Sequence, residues 1–395
     1  MTGVAREAAG RASLARSGGL IAPSLMLLNV VQYVLTVAAA HALDKDGYGE
    51  LIALFGVLLV ACVPGIALQA VVARAVVHGA TDVRGLLLRS AAVGGALTAV
   101  GLVASPVLAA FLHTGLGGPV VVALQLLPFA VLCGAMGVLQ GEERFAMLAV
   151  VLLVQSLGRL AAVGPLAVDG GTTAVLVVYG LGGLAAAAAA VTAVGVQGGN
   201  DPTLPGVRQL VAAAGGLLSL LLLANLDVLL ARNALSGSES GRYSVGAILS
   251  KAAFWLPQAV AVVVFPRLSD PVEGRTLLRR AILFVSGLGA AELIGCLLLA
   301  HPVLVIGFGA QYGSLSGIAW LWVMQGAALS IVQLVVYRAI ATHDRVTGAV
   351  IGAAAALEAV VVLALRPTQP RDIILVAAAT ALATVGCLLV RTARS

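Results

Sequence analysis

Long runs of apolar residues, separated by short polar stretches, recur along the whole chain. A helix needs about 20 mostly apolar residues to cross the hydrocarbon core of a bilayer. Twelve runs approach or exceed that length, at 18–41, 50–73, 86–112, 119–140, 145–167, 173–196, 208–232, 243–265, 277–300, 317–338, 346–365 and 372–391. The pattern predicts an all-α integral membrane protein with about twelve transmembrane helices, whose short connections leave no room for a soluble catalytic domain.

The composition favours a membrane protein over a soluble one. Of the 395 residues, 61% are hydrophobic and 10% are charged, whereas soluble domains carry about 25% charged residues. So few charges cannot cover a water-exposed surface. The net charge of +6 comes mostly from arginines at the ends of the predicted helices, which is typical of membrane topology and does not indicate a nucleic-acid partner.

Basic residues are distributed unevenly between the two sides of the predicted membrane. With the N-terminus inside, sixteen of the 23 lysines and arginines flank cytoplasmic helix ends and five flank outer ends. Because cytoplasmic loops carry the excess of basic residues, we expect both termini to face the cytoplasm. The Ala-, Val- and Arg-rich composition is typical of a GC-rich bacterial genome, so the predicted location is a bacterial inner (plasma) membrane.

The two halves of the chain share short motifs in the same order. Residues 84–89, RGLLLR, are similar to residues 275–280, RTLLRR, and residues 104–108, ASPVL, are similar to residues 300–304, AHPVL. Since each half holds six spans, a parallel repeat must relate the halves by an axis along the membrane normal. We therefore expect two six-helix lobes around a central cleft. The predicted boundaries are an N-terminal lobe at 1–199, a linker at 200–207 and a C-terminal lobe at 208–395.

Charged residues inside the predicted spans are the main candidates for function. A charge near the bilayer centre costs about 2.5–3.5 kcal/mol on insertion scales, so it usually faces a cavity or a partner. Asp227 and Lys251 lie at similar depths on spans seven and eight. The cation could hold an anionic group while the carboxylate binds a coupling proton or cation; alternatively, the two form a static salt bridge.

Three more charged residues lie within spans. Glu292 is isolated on span nine and is a second candidate for ion coupling. Arg159 on span five and Glu358 on span eleven occupy similar positions in the two halves, and we interpret them as structural charges that pair within or across the halves.

Polar residues on span one are candidates for the other side of the cleft. Asn29, Gln32 and Tyr33 are spaced three and four residues apart, so they share one helix face. Under the repeat, this face would lie opposite Asn225 and Asp227 of span seven. The alternative interpretation is hydrogen bonding between helices that serves packing alone.

The sequence lacks the motifs of several enzyme classes. It contains no Gly-Lys-Ser or Gly-Lys-Thr, which a P-loop requires. The four cysteines lie apart in apolar runs, and the five histidines are scattered near helix ends. This spacing suits neither a zinc site nor a redox pair. We therefore expect no enzymatic activity, no metal and no cofactor.

Four stretches resemble a known family of membrane proteins. Residues 43–51 read LDKDGYGEL, and residues 137–145 read GVLQGEERF. Residues 225–268 begin NLDVLLARNALSGSESGRYSVG, and residues 337–345 read YRAIATHDR. The chain thereby resembles the polysaccharide, or lipid-linked oligosaccharide, flippases of the multidrug/oligosaccharidyl-lipid/polysaccharide exporter superfamily.

The resemblance implies a V-shaped pair of lobes with a cleft lined by spans one, two, seven and eight. It implies alternating access that flips a polyprenyl-(pyro)phosphate-linked oligosaccharide from the cytoplasmic to the outer leaflet for polysaccharide biosynthesis. Lys251 would be the cleft cation that meets the phosphate, with Arg232 at the outer end. A polysaccharide polymerase or glycosyltransferases would be the partners.

Two other functions remain open from the sequence. A cation-coupled drug or metabolite antiporter of the same superfamily would share the fold and bind a smaller substrate. A membrane glycosyltransferase would need catalytic acids in an outer loop, for which Asp44 and Asp46 are candidates, but it would leave the internal repeat unexplained.

Overall fold

The computed structural model describes residues 23–198, 207–255, 257, 273–342 and 344–394. In these ranges the chain is helical and contains no strand. The helices are α1 Pro23–Ala42, α2 Lys45–Ala61, α3 Val63–Val77, α4 Val83–Leu112, α5 Gly117–Leu124, α6 Leu126–Gly141, α7 Phe145–Ala161, α8 Gly171–Val194, α9 Val207–Ala234, α10 Gly237–Trp255, α11 Glu273–Phe308, α12 Ala319–Ala341, α13 Arg345–Leu365 and α14 Pro370–Arg394. Two 3₁₀ segments, Gly164–Val168 and Ala310–Gly317, follow α7 and α11.

The predicted membrane helices are confirmed in the described part of the chain. Eleven of the twelve predicted spans coincide with helices, or with consecutive helical segments, that are long and apolar enough to cross a bilayer. The eighth span, predicted at 243–265, is described as α10 up to Trp255, with Pro257 beyond it. Its remaining residues lie outside the described part, as do residues 18–22 of span one and all but the last residue of the predicted linker at 200–207.

Two predicted spans are each built from two α-helical segments, and span five is built from α7 and the 3₁₀ segment Gly164–Val168. Span two breaks at Cys62 between α2 and α3, and span four breaks at Gln125 between α5 and α6. In each case the next helix carries a proline, Pro64 or Pro128, in its first turn. A proline has no N–H to donate, and the first turn of a helix is where that loss is tolerated.

The chain packs into two compact units. Unit 1 contains α1, the segment Pro64–Leu108 and the chain from Gly115 through α8. Unit 2 contains the chain from Ala213 onwards, together with Leu43–Val63 and Ala109–Thr114 from the first half of the sequence. The division into sequence lobes at 1–199 and 208–395 stays a prediction.

Each unit has an apolar core and apolar outer surfaces. In unit 1 the core residues come from α3, α4, α6, α7 and α8. In unit 2 they come largely from α9, α12 and the last two helices, and α12 is the most buried of the candidate spans. Large apolar side chains of α4 and α11 are exposed, among them Val103 at 82% and Leu298 at 74%. Exposed apolar helix surfaces of this kind suit contact with lipid.

An ion pair joins the start of α13 to the end of α14. Asp344 caps α13 by accepting a hydrogen bond from the backbone N–H of Val346. Its carboxylate also accepts hydrogen bonds from Arg391 at 2.8 Å and from Thr347 at 2.8 Å. The hydrogen bond from Arg391 is the main reason why the pKa of Asp344 is lowered to about 2.

Candidate functional site

A buried carboxylate in unit 2 accepts hydrogen bonds from two neighbouring helices. Asp227 lies on α9 and is 2% exposed. Its Oδ2 accepts one hydrogen bond from the Tyr243 hydroxyl of α10 at 2.8 Å and another from the Gln325 amide of α12 at 3.2 Å. The Gln325 carbonyl oxygen accepts a hydrogen bond from the Ser250 hydroxyl at 2.8 Å. These four side chains on three helices are here named the Asp227 network.

Close packing of α10 against α12 sets the geometry of this network. A side chain at Gly246 would collide with the indole of Trp322, and one at Gly326 would collide with the carbonyl oxygen of Ser250. The Tyr243 ring packs edge-on against Trp322, with 5.5 Å between the ring centroids. The two glycines therefore let the helices approach closely enough for their polar side chains to bond.

Lys251, the predicted cleft cation, follows Ser250 on α10 and is partly buried. Its charge acts on the Asp227 carboxylate. Yet among the described residues its ammonium group forms no ion pair within 4.0 Å. The structure thus brings the predicted pair into electrostatic range without a direct salt bridge, and the role of Lys251 in substrate binding stays a prediction.

Three other predicted residues of unit 2 have buried oxygens that accept no hydrogen bond from the described residues. The Asn225 amide donates to the Leu221 carbonyl at 2.8 Å, but its Oδ1 has no donor. Both carboxylate oxygens of Glu358 on α13 lack a donor, as do both of Glu292 on α11. Unpaired oxygens are costly in an apolar interior, so these groups favour a proton or an ion as partner.

Arg232 lies at the end of unit 2 that is predicted to face the outside, and it binds several groups there. Its contacts with Leu112, His113 and Asp46 are here named the Arg232 clamp. Arg232, at the C-terminal end of α9, is 4% exposed. Its Nε donates to the Leu112 carbonyl at 2.9 Å, and Nη2 donates to the His113 carbonyl at 3.4 Å. Its Nη1 forms an ion pair of 2.5 Å with Asp46 at the start of α2. The neighbouring Asn233 donates to the Phe111 carbonyl at 2.6 Å.

The clamp joins α9 to segments from the first half of the sequence. The carbonyl groups at the C-terminal end of α4 have no partner within their own helix, so cationic and amide donors stabilise them. The donors of Arg232 are bonded to protein atoms in this conformation. The contact between Arg232 and the substrate stays a prediction.

The polar residues predicted on span one all lie on α1 in unit 1. Gln32 is partly buried, and its side-chain carbonyl accepts a hydrogen bond from the Tyr179 hydroxyl of α8 at 3.3 Å. Asn29 and Tyr33 are exposed. Because Asn225 and Asp227 belong to unit 2, the predicted approach between these two groups of residues stays a prediction.

Arg159 extends the polar contacts of unit 1. The residue lies in the last turn of α7, with its guanidinium 5.4 Å from the centroid of the Tyr179 ring. This distance is within the range of a cation–π interaction. Its Nε is buried and donates no hydrogen bond to the described residues. Arg159, Tyr179 and Gln32 are here named the Arg159 cluster.

The structure has a surface cavity whose lining contains none of the residues predicted to bind substrate. The cavity has a volume of about 580 Å³ and is lined by residues of α10, of the 3₁₀ segment Ala310–Gly317 and of the connection to α14. Its polar lining residues include Glu239, Arg242, Ser314 and Arg371, and the first three are joined by hydrogen bonds.

Sequence reasoning missed most of the partners of Asp227 and Arg159. Tyr243 and Ser250 are seven residues apart, hence on one face of α10, and Gly246 lies between them on the same face. On α12, Gln325 and Gly326 likewise combine a polar side chain with a small residue. That spacing was a usable signal, but the contact between α10 and α12 was not readable from either helix alone.

Comparison with known proteins gives matches by structure and none by sequence. No protein-family model matches the chain, and none of the curated proteins matches its sequence. Among solved structures, the lipid II flippase MurJ in an inward closed conformation gives a TM-score of 0.73 at 11% identity, covering 94% of this chain and 87% of that chain. An inward-facing multidrug resistance MATE family transporter gives a TM-score of 0.69 at 12% identity, covering 92% and 94%.

A third match is the Vibrio cholerae MATE transporter VcmN, with a TM-score of 0.62 at 15% identity and coverage of 97% of this chain and 96% of that chain. Nearly the whole of each chain is covered in all three. The chain thus has the fold that this lipid II flippase and these MATE transporters share. The fold that the sequence resemblance implied is confirmed.

Proposed function

We propose that this protein is a membrane transporter that flips a polyprenyl-(pyro)phosphate-linked oligosaccharide from the cytoplasmic to the outer leaflet by alternating access. Lys251 is the observation that carries the proposal. An intramembrane ammonium group with no ion pair among the described residues is suited to an anionic group that arrives with the substrate. The structural likeness to a lipid II flippase supports the same reading.

The proposal assigns the substrate head group to Lys251, with Asp227 and Asn225 beside it on α9. Asn29, Gln32 and Tyr33 would contact the head group from α1, and Arg232 would act at the outer end. Asp227 and Glu292 are the candidates for ion coupling. Both termini would face the cytoplasm of a bacterium, and polysaccharide polymerases or glycosyltransferases would supply or consume the glycan.

The leaflet location of lipid-linked glycan tests this function. In cells that lack the chain, we expect the glycan to stay protected from an impermeant lectin or from periodate. The intact chain should restore exposure, and Lys251→Ala should not, at equal abundance in the membrane. Lys45→Ala is the matched control because Lys45 is the only other lysine of the chain, and it should restore exposure.

Normal glycan exposure with Lys251→Ala would show that the cleft cation is wrongly assigned. Equal exposure with and without the chain, in cells that have no second flippase, would contradict the flippase function itself. The two results therefore separate an error in the site from an error in the activity.

A cation-coupled antiporter of small molecules is the second candidate. Buried carboxylate oxygens favour it, because Asp227 Oδ1 and both oxygens of Glu358 accept no hydrogen bond from the described residues. Such oxygens are suitable ligands for a proton or a cation. Efflux of a cationic dye from proteoliposomes under an imposed ion gradient, lost in Asp227→Asn, would support this candidate.

A further inference from the structure

The Arg159 cluster lies well inside the membrane. Arg159 lies in the last turn of α7, but the preceding Gly158 packs against Gly182, eleven residues from the start of α8, which is about 16 Å at 1.5 Å per residue. Tyr179 lies eight residues from the start of α8, about 12 Å, and Gln32 lies ten residues from the end of α1, about 15 Å. With a hydrocarbon core of about 30 Å, all three side chains start from near-central depths.

The packing of α7 against α8 holds this cluster together. A side chain at Gly158 would collide with the backbone of Gly182, and one at Gly182 would collide with that of Gly158. The two helices are therefore in backbone contact one residue before Arg159 and three residues after Tyr179. This contact places the guanidinium against the Tyr179 ring, while the Tyr179 hydroxyl bonds Gln32.

No acidic side chain of unit 1 lies at this depth in the described residues. Its aspartates and glutamates there are Asp82, Glu142, Glu143 and Asp169, each next to the end of a helix. Arg159 forms no ion pair within 4.0 Å among the described residues, and its Nε lacks an acceptor. A guanidinium at such depth calls for an anion.

We infer that Arg159, Tyr179 and Gln32 form a binding site for a phosphate or pyrophosphate group inside unit 1. The planar guanidinium donates two parallel hydrogen bonds to phosphate oxygens, a geometry that an ammonium group cannot match. Tyr179 supports the guanidinium face, and the Gln32 amide offers further donors. This site deepens the proposed function and rests on it for the identity of the lipid, but it is distinct from Lys251 in unit 2.

Direct binding to the purified full-length chain in nanodiscs of phosphatidylcholine tests the site. The probes are farnesyl pyrophosphate, inorganic pyrophosphate and farnesol, measured by titration calorimetry. We expect farnesyl pyrophosphate to bind and farnesol to bind about tenfold or more weakly, because farnesol lacks the charged acceptor. In a chain that also carries Lys251→Ala, so that the phosphate site proposed there does not contribute, Arg159→Gln should weaken farnesyl pyrophosphate binding about tenfold or more, and Arg159→Lys should weaken it less.

Arg84→Gln is the matched control because Arg84 is an exposed arginine at the start of α4 in the same unit. It should bind farnesyl pyrophosphate normally. Arg159→Lys retains the charge, so normal thermal unfolding of this variant excludes misfolding as the cause of weaker binding. Binding of inorganic pyrophosphate with the same dependence on Arg159 would assign the site to the phosphate group alone, without the lipid.

Undiminished binding of farnesyl pyrophosphate to Arg159→Gln would overturn the inference. So would equal binding of farnesol and farnesyl pyrophosphate. Because the assay measures binding and not flipping, loss of the site leaves the flippase proposal standing on Lys251. Conversely, if farnesyl pyrophosphate binding depends on Arg159 but the chain flips no glycan, the binding site is supported and the proposed flippase function is contradicted.

Discussion

The polar interiors of the two units differ in the kind of charge they carry. Unit 2 contains the carboxylates Asp227, Glu292 and Glu358 together with the cation Lys251, and hydrogen-bond donors from two helices surround Asp227. Unit 1, in the residues that the structure describes, contains Arg159 at comparable depth with no acid near it. The interior of unit 2 can therefore change its charge by binding a proton, whereas that of unit 1 keeps a permanent positive charge.

This difference suggests that ion coupling belongs to unit 2, whereas both units offer a cation to an anionic substrate, Lys251 in unit 2 and Arg159 in unit 1. Groups that can take up and release a proton or a cation are suited to coupling transport to an ion gradient. A fixed guanidinium is suited to holding an anionic substrate at every pH, because arginine does not lose its proton in proteins. Substitutions of Arg232, of Arg159 and of the Asp227 network test this difference between the units.

Replacing the buried Arg232 and the partly buried Arg159 should give the largest contrast in stability. Arg232→Ala leaves the carbonyl groups at the end of α4 without their donor, at about 1–3 kcal/mol for each buried group. The ion pair with Asp46 adds little, because the Asp46 side chain is 56% exposed. Arg159→Ala removes a cation that has no acidic partner among the described residues, so the free energy of unfolding should change by about 1 kcal/mol or less. The free energy of unfolding of both variants is measured in mixed micelles with an increasing share of denaturing detergent. An equal loss of stability in the two variants would contradict this prediction.

Removing the acceptor at the centre of the Asp227 network should have an effect on stability comparable with that of Arg232→Ala. Asp227→Leu leaves the Tyr243 hydroxyl and the Gln325 amide buried without an acceptor, at about 1–3 kcal/mol for each. Asp227→Asn keeps an acceptor oxygen and should cost less, but it removes a titratable group. Transport by Asp227→Asn should therefore show a changed pH profile, while its unfolding transition stays near that of the parent chain.

An unchanged pH profile would exclude Asp227 from proton coupling. The groups that share its surroundings are Lys251, Tyr243 and Glu358, which act on it or on its partner electrostatically. Glu358→Gln provides the matched comparison, since it neutralises a second buried carboxylate of the same unit without disturbing the Asp227 hydrogen bonds.

The smallest effect is expected at the ion pair between Asp344 and Arg391. These side chains are partly exposed, at 28% and 34%, and exposed pairs contribute little to stability because solvent screens the two charges. The folded-state pKa of Asp344, about 2, lies below the unfolded value of about 3.9. Its contribution is therefore present above about pH 4 and lost as the pH falls towards 2.

Asp344→Asn should remove this pH-dependent contribution. The difference in unfolding free energy between Asp344→Asn and the parent chain should shrink between about pH 4 and pH 2. A difference that stays constant over this range would show that the hydrogen bond from Arg391 does not depend on the charge of Asp344.

Most of the helix pattern was predictable because membrane insertion is a local requirement. A segment must be long and apolar enough to span the bilayer by itself, so its boundaries are encoded within it. The breaks at Cys62 and Gln125 and the extension of α11 to Phe308 were not predicted. A proline in a first turn ends one helix and starts another within a single apolar run, and hydropathy does not distinguish the two cases.

Within the candidate site, the sequence identified the charged residues and not their partners. Asp227, Lys251, Glu358 and Arg159 are identifiable because charges are rare in apolar spans. The bonds from Tyr243 and Gln325, the clamp from Arg232 to the end of α4 and the ring of Tyr179 beneath Arg159 depend on which helices touch. Those contacts form where small residues let two backbones approach, and the sequence of one helix does not specify its neighbour.

The sequence by itself thus determined the number, length and apolar character of the spans, because the bilayer acts on each segment separately. It also determined which charges must find a partner, since burying an ion in hydrocarbon is costly for any fold. The tertiary structure adds that Arg232 is bonded to protein groups, whereas Arg159 forms no ion pair with the residues that the structure describes. It adds that Asp227 accepts hydrogen bonds, whereas Glu358 accepts none from that part of the chain. Those outcomes depend on contacts between segments far apart in the chain, where distance and direction determine whether a hydrogen bond forms.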